Sequence, residues 1–396
     1  MTDEVRRSRL KHATRRIMVW LLLAAAIALL VSRLAYLATI RPLPTDDFVA
    51  YWSAGRLNVT GGNPYSPEQL WPLQRAAGWS LDRPDMIWVP PWTLTLMMPF
   101  GVLSYPVGRV VWLLLSLAVV LFCCDWIWRT YGGLASQRWL APVVGLTFVP
   151  TILALRMGQI SPLILLGIVG FLHFERRQKW FWAGASTALV AIKPQLLFLF
   201  WIALLFWSVE RRRWPVIFGV SLACLAATAI PFMVNPAVIG QYIAALVSYP
   251  PDYWATPTLG ALLRLLFGAG QFWLQFVPPA VGTAWFLLYW RRHRATWDWS
   301  EQMPWLLLAS LVATAHGWEY DQVVLLLVVV PVAVGVLGMR RAMTAFWIVC
   351  VYLAVDGLAL LLNLLHSPAF FYIWLAPALL SWYWIARKQT FEKPAT

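Results

Sequence analysis

The chain has 396 residues, of which 61% are hydrophobic and only 12% charged, about half the charged share of a soluble domain. A formal net charge of +14 would suit a nucleic-acid partner. However, the basic residues sit in short clusters between apolar runs, the pattern of the positive-inside rule, and no nucleic acid is expected. The four cysteines, Cys123, Cys124, Cys224 and Cys350, fall in apolar runs without metal-ligand spacing; they read as small core hydrophobes, and no metal or other cofactor is expected.

Taken in chain order, the apolar runs predict twelve spans: 17–40, 107–128, 139–155, 158–174, 180–192, 195–209, 214–234, 271–290, 303–315, 322–338, 343–363 and 369–386. The first is too long for a signal-peptide core and lacks a small-residue cleavage site after it, so it reads as an uncleaved span. With the N-terminus inside, 22 of the 31 basic residues fall on the cytoplasmic side, in clusters such as Arg176-Arg177-Lys179, Arg211–Arg213 and Arg291-Arg292-Arg294, against seven outside. An even span number leaves both termini cytoplasmic. The 27 tryptophans fit a protein with much bilayer interface. The whole chain, 1–396, reads as one transmembrane domain, in a bacterial inner membrane.

Two pairs of spans are too short for their task. Residues 180–209 run between two cytoplasmic clusters, so they must go in and come back in about 30 residues, less than two full crossings. Two short helices meeting at Lys193-Pro194 satisfy this. Spans 139–155 and 158–174 turn as tightly around Arg156-Met-Gly-Gln159. Short helices leave a depression on the outer face, where irregular backbone is tolerated because it lines a wet cavity. The first external segment, 41–87, carries Phe48, Tyr51, Trp52 and Gly55 at helical spacing behind Thr45-Asp46-Asp47, which predicts an amphipathic helix lying at the interface. The Pro-broken stretch 88–100 reads as re-entrant or interfacial, and a second external segment, 235–270, holds Asp252.

On this topology the outer face collects Asp46, Asp47, Arg156, Gln159, Lys193, Gln195, Asp252, His316, Glu319 and Asp321. An acid, cations and a histidine around one depression suit the activation of a hydroxyl and the expulsion of a phosphate. Lys193-Pro194 and Ser161-Pro162 each place proline at a helix start, so two helix N-termini, which attract phosphate, aim at the cavity. Each residue also has a plainer role open to it. Asp46-Asp47 could complement a helix dipole, Lys193 could snorkel, His316 could be a satisfied polar group, and Glu319 and Asp321 could be turn acids. No Walker-type, HExxH or GxSxG sequence occurs, so a soluble-nucleotide donor has no support.

Asp47-Phe-Val-Ala-Tyr51-Trp-Ser-Ala-Gly-Arg56 followed by Gly61-Gly-Asn-Pro-Tyr65 resembles the first external loop of glycosyltransferase family 87. Pro90-Pro91, Gly158-Gln159, Lys193-Pro194-Gln195 and His316…Tyr320-Asp321 fall in that family's order, over residues 15 to 385. The resemblance implies an all-α polytopic GT-C-type enzyme with an extracytoplasmic active site, inverting chemistry and a polyprenyl-phosphate sugar, mannose in family members, as donor. It implies Asp47 as the catalytic base, with Asp46 as the alternative in the acidic doublet, and His316 as the histidine near that base. Lys193 and Arg156 become donor-phosphate contacts, with Gln159, Gln195, Glu319 and Asp321 as further polar residues of the site. Partners are then the lipid-linked donor, a lipid or glycan acceptor and the membrane. Two other readings stand beside it. One is a lipid-linked glycan ligase or polymerase, which would need a pyrophosphate donor. The other is a transporter, which should bury polar residues at the midplane of several spans; only Asp356 and Arg33 sit so.

Overall fold

The computed structural model describes residues 46–250 and 255–390; the expected first span 17–40, Arg33 and Asp252 lie outside the described residues. All regular structure among the described residues is helical. Helix α1 (Phe48–Val59) is followed by α2 (Pro67–Ala76), α3 (Leu94–Gly101) and the long α4 (Tyr105–Thr130). Next come α5 (Leu140–Thr147), α6 (Val149–Arg156), α7 (Ser161–Arg176), α8 (Trp180–Ser186), α9 (Phe198–Glu210) and α10 (Trp214–Val234). The chain closes with α11 (Val238–Ser248), α12 (Leu259–Phe267), α13 (Val277–His293), α14 (Trp299–Ala313), α15 (Leu326–Gly338), α16 (Ala342–Leu364) and α17 (Leu375–Thr390).

Among the described residues, five helical stretches are long and apolar enough to cross a membrane: Tyr105–Thr130, Trp214–Val234, Glu319–Gly338, Ala342–Leu364 and Ala369–Thr390. A sixth is reached if Trp180–Ile192 and Pro194–Glu210, bent by 117° against each other, are counted as one. The molecule is a multi-pass membrane protein. The bend falls at Lys193, where the sequence puts it. A 3-10 turn, Thr187–Ile192, leads into Lys193, and a second, Pro194–Leu197, leads out into α9. Proline at the first position costs nothing because its missing N–H had no partner there.

Two expectations need correction. Helix α1 is not an amphipathic interfacial helix: Phe48 through Gly55, with Leu57 and Asn58, are all buried. The aromatic residues at 48, 51 and 52 mark one side, but Val49, Ala50, Ala54 and Leu57 make the other sides apolar too, the all-round pattern of a core helix. Helix α3 covers one side at backbone contact. A Cβ added to Gly55 would stand 2.5 Å from the Met97 carbonyl oxygen, and one on Gly101 2.3 Å from the Arg56 nitrogen. The rings of Phe100 and Trp112 close on Phe48 at 6.0 and 5.6 Å.

The predicted span 139–155 is likewise broken. Phe148 takes an extended conformation, ψ 120°, between α5 and α6. The N–H of Val149, freed by the break, donates to the Asp356 carboxylate of α16 at 2.8 Å. Asp356, conspicuous in the sequence as a midplane acid, therefore has a structural task. Some tryptophans serve the core: Trp112, Trp128 and Trp299 are among the largest fully buried side chains, while Trp139, Trp182, Trp214 and Trp347 are exposed. Trp299 packs edge-on against Phe171 at 4.8 Å and against Phe200 at 5.8 Å, joining α14 to α7 and α9.

Helices α7, α8, α9 and α14 share a polarity. One end of the group holds Ser161, Lys193 and Thr314; the other carries Arg176, Arg211 and the Arg294 turn. At that basic end the Arg176 guanidinium donates to the Thr130 carbonyl at 3.2 Å, and Arg211 to those of Arg294 and Ala295 at 3.2 and 3.0 Å. Sixteen residues of α7 separate the ends, roughly 24 Å.

Candidate active site

Three irregular segments meet at the end opposite the basic clusters: the start of α1, the turn between α6 and α7, and the Lys193 turn. The loop after α14 closes the ring. Asp46 comes first and is not free to react. Its Oδ1 accepts the Phe48 N–H at 3.1 Å, capping α1, and its Oδ2 pairs with Arg109 at 2.6 Å. Asp47 makes no capping bond. Its Oδ2 instead accepts from Nε2 of Gln159, whose Oε1 in turn accepts from the Tyr51 hydroxyl at 3.1 Å and from Lys193 Nζ at 3.2 Å. Gln159 thus lies between the acid and the lysine with its amide dipole aligned to both charges.

Gly158 makes this approach feasible. Its φ of +65° turns the chain, and a Cβ there would stand 2.6 Å from Cβ of Phe48. The Gly158 carbonyl is held by the Trp112 indole N–H at 2.8 Å. Lys193 Nζ also pairs with Asp321 Oδ1 at 2.8 Å and lies 5.3 Å from the centre of the Tyr320 ring. Asp321 accepts further from the Ser161 hydroxyl and from the Trp318 N–H. With three donors and 1% exposure, it is a satisfied buried carboxylate rather than a free base.

The His316 loop is held at both sides. Thr314 donates to the Gln195 and His316 carbonyls at 2.9 and 3.1 Å, and the Gln275 amide reaches the Ala315 carbonyl. The His316 ring packs edge-on to Trp318. Burial holds its pKa below the usual value, with Lys193 adding to the effect and Asp321 opposing it, so the imidazole is neutral at pH 7. The Asp47 carboxyl is pushed up to about 6. Burial is the main cause and the Asp46 charge adds to it, while the bonds from Gln159 and Tyr320 and the Lys193 charge oppose it. A carboxylate poised there is charged at pH 7 and still basic enough to take a proton.

The geometry therefore brings together Asp47, Gln159, Lys193, Asp321 and, in electrostatic reach, His316. Glu319 is half-buried on the same loop, and its Oε2 is buried without a partner. The Gln195 side chain is exposed and contributes its backbone carbonyl. Arg156 contributes its own carbonyl, which accepts from Arg109 at 2.8 Å. Asp85 was not singled out by the sequence. Both ends of the buried Gln74 amide hold its backbone, at 2.8 Å each, and the same amide donates to Ser53 of α1 at 3.1 Å. Burial and the nearby Asp47 charge push the Asp85 carboxyl well above the usual range. No motif marks it; only the fold brings Asp85 beside the residue it faces.

Asp47, Gln159 and Lys193 thus form one hydrogen-bonded network beside the start of α7 in a multi-pass membrane protein. Residues 89–315 match the model of glycosyltransferase family 87. That is more than half of the chain, which belongs to this family and is a membrane glycosyltransferase. No curated protein and no solved structure matches it. The matched segment holds Gln159 and Lys193. Asp47 and the His316–Asp321 loop lie on either side of it in sequence, and the fold returns both to it.

Proposed function

We propose that this enzyme transfers a mannosyl residue from a polyprenyl monophosphate carrier to a hydroxyl of an extracytoplasmic lipid or glycan, with inversion at the anomeric carbon. The observation that carries this reading is the hydrogen-bonded row Asp47–Gln159–Lys193 beside the start of α7. The acceptor oxygen attacks the anomeric carbon as Asp47 takes its proton, and the bond from that carbon to the phosphate oxygen breaks on the opposite face. The phosphate leaves with the carrier lipid, its charge met by Lys193, by Arg156 from the neighbouring turn and by the N–H groups that open α7. Neutral His316 beside Lys193 is suited to hydrogen-bond the sugar or phosphate.

The GT-C architecture, the twelve-span topology with both termini cytoplasmic, and the outward orientation of the site belong to the same proposal. What supports the orientation is that the cluster lies at the helix ends remote from Arg176 and Arg211. The decisive experiment is transfer by the purified protein from labelled polyprenyl-phosphate-mannose. Asp47→Asn keeps shape and hydrogen-bonding reach but cannot accept a proton, so it should remain monodisperse and lose about 10²–10⁴-fold in rate. Full activity in Asp47→Asn would move the base elsewhere, and transfer only from a pyrophosphate-linked donor would favour a ligase.

A further inference from the structure

Arg109 stands in the second turn of α4, one of the helices apolar enough to cross a membrane, and is 2% exposed. A buried guanidinium is costly unless it is paired and hydrogen-bonded; here Nη1 is buried without a partner, and the whole tie runs through Nε and Nη2. Its bonds go to two separate stretches of chain. Nε and Nη2 reach Asp46 Oδ2 at 2.7 and 2.6 Å, while Nη2 also donates to the carbonyls of Leu155 and Arg156 at 3.1 and 2.8 Å. One stretch carries Asp47, the next residue after Asp46. The other carries Gln159, three residues after Arg156. Trp112, three residues along α4 and on the same face, repeats the connection: its ring stacks on Phe48 and its indole N–H holds Gly158.

We propose that Arg109 is a positioning residue for transfer: by tying the start of α1 to the end of α6 it sets the register in which the Asp47 carboxylate meets the Gln159 amide. This rests on Asp47 being the base. A planar fork is needed because three acceptors on two segments must be reached at once; lysine, a point charge on a flexible stem, can hold Asp46 but not the carbonyls as well. The charged and titratable groups facing Asp47 are Asp46 and Tyr51 of its own helix, Asp85 of the following loop, Lys193 of the bend, and Glu319 and Tyr320 of the His316 loop.

The test is the double variant Asp46→Asn/Arg109→Gln, which leaves no unpaired buried charge, beside Arg109→Lys. For the double variant we expect a monodisperse protein whose kcat is lower by about 10–100-fold, with KM for donor little changed. The acid limb of its pH profile should move to higher pH, because the weakened Gln159 bond no longer holds the Asp47 carboxyl down, a larger influence than the Asp46 charge removed with it. Amide hydrogen exchange should quicken together in residues 47–51 and 156–160. Arg109→Lys should fall between the double variant and wild type. Unchanged turnover, pH profile and exchange in the double variant would overturn the proposal. If Asp47→Asn proves fully active, the base reading has failed by itself, and unchanged exchange in the double variant would then still refute the tie between the two segments.

Discussion

Lys193 and Asp321 lie 2.8 Å apart, and the acid is 1% exposed where the lysine is 13%. The ammonium is held by Asp321 and by Gln159 Oε1 at 3.2 Å, and part of the lysine side chain stays exposed, where an incoming phosphate would reach it. Removing the lysine has two consequences. In Lys193→Ala the leaving phosphate loses its charge partner, and turnover should fall about 10²–10³-fold. Asp321 is then left as an unpaired buried carboxylate, at a cost of about 3–5 kcal/mol. Thermal unfolding separates the two effects: Lys193→Met with Asp321→Asn should recover most of the lost stability and none of the turnover.

The pH dependence follows from Asp47. Its carboxyl titrates at about 6 in the folded protein against 3.8 unperturbed, so kcat/KM should fall on its acid side as pH drops through about 6. The stability effect has the opposite sign. A carboxyl whose pKa is raised on folding favours the folded state below about pH 4, and that contribution is lost as pH rises through 6. Asp47→Asn should thus be inactive at pH 7 yet unfold at a higher temperature than wild type. A lower melting temperature for the variant at pH 7 would contradict this.

Asp356 caps α6 across the break at Phe148. Asp356→Ala leaves the buried Val149 N–H without an acceptor and should cost about 1–3 kcal/mol. Asp356→Asn keeps an acceptor oxygen and should cost less. Thermal unfolding in detergent measures both, and equal melting temperatures for wild type and Asp356→Ala would rule out the cap.

Sidedness can be read by thiol labelling. The Gln195 side chain is exposed at the site end, and Arg177 is exposed at the end of α7 remote from it. In a background with the half-buried Cys224 and Cys350 replaced by serine, Gln195→Cys should react with an impermeant maleimide in intact cells. Arg177→Cys should react only after permeabilisation. The reverse pattern would place the site in the cytoplasm.

What could be read in advance depended on how local the cause was. The bend at Lys193-Pro194 was legible because proline and two flanking basic clusters lie within 35 residues of one another. Gln159, Lys193 and Asp321 were legible as polar residues at the ends of apolar runs. The burial of α1 was not, because its cover comes from α3, whose glycine at 101 reads alone as a mere helix breaker. The work of Asp46 was hidden in the same way: its partner Arg109 lies 63 residues on, at the edge of an apolar run where arginine ordinarily snorkels. Asp85 gave no signal, since what places it is the side chain of Gln74 gripping its backbone.

The bend at Lys193 has a consequence for the whole chain. Because Trp180 and Glu210 end on the same side, the α8–α9 pair returns the polypeptide to where it started, and its contribution to the parity of crossings is even whatever its depth. Every helix from α10 onward keeps its orientation regardless of how far the pair reaches. A deeper or shallower hairpin would therefore reshape the surroundings of Lys193 without turning the rest of the molecule inside out.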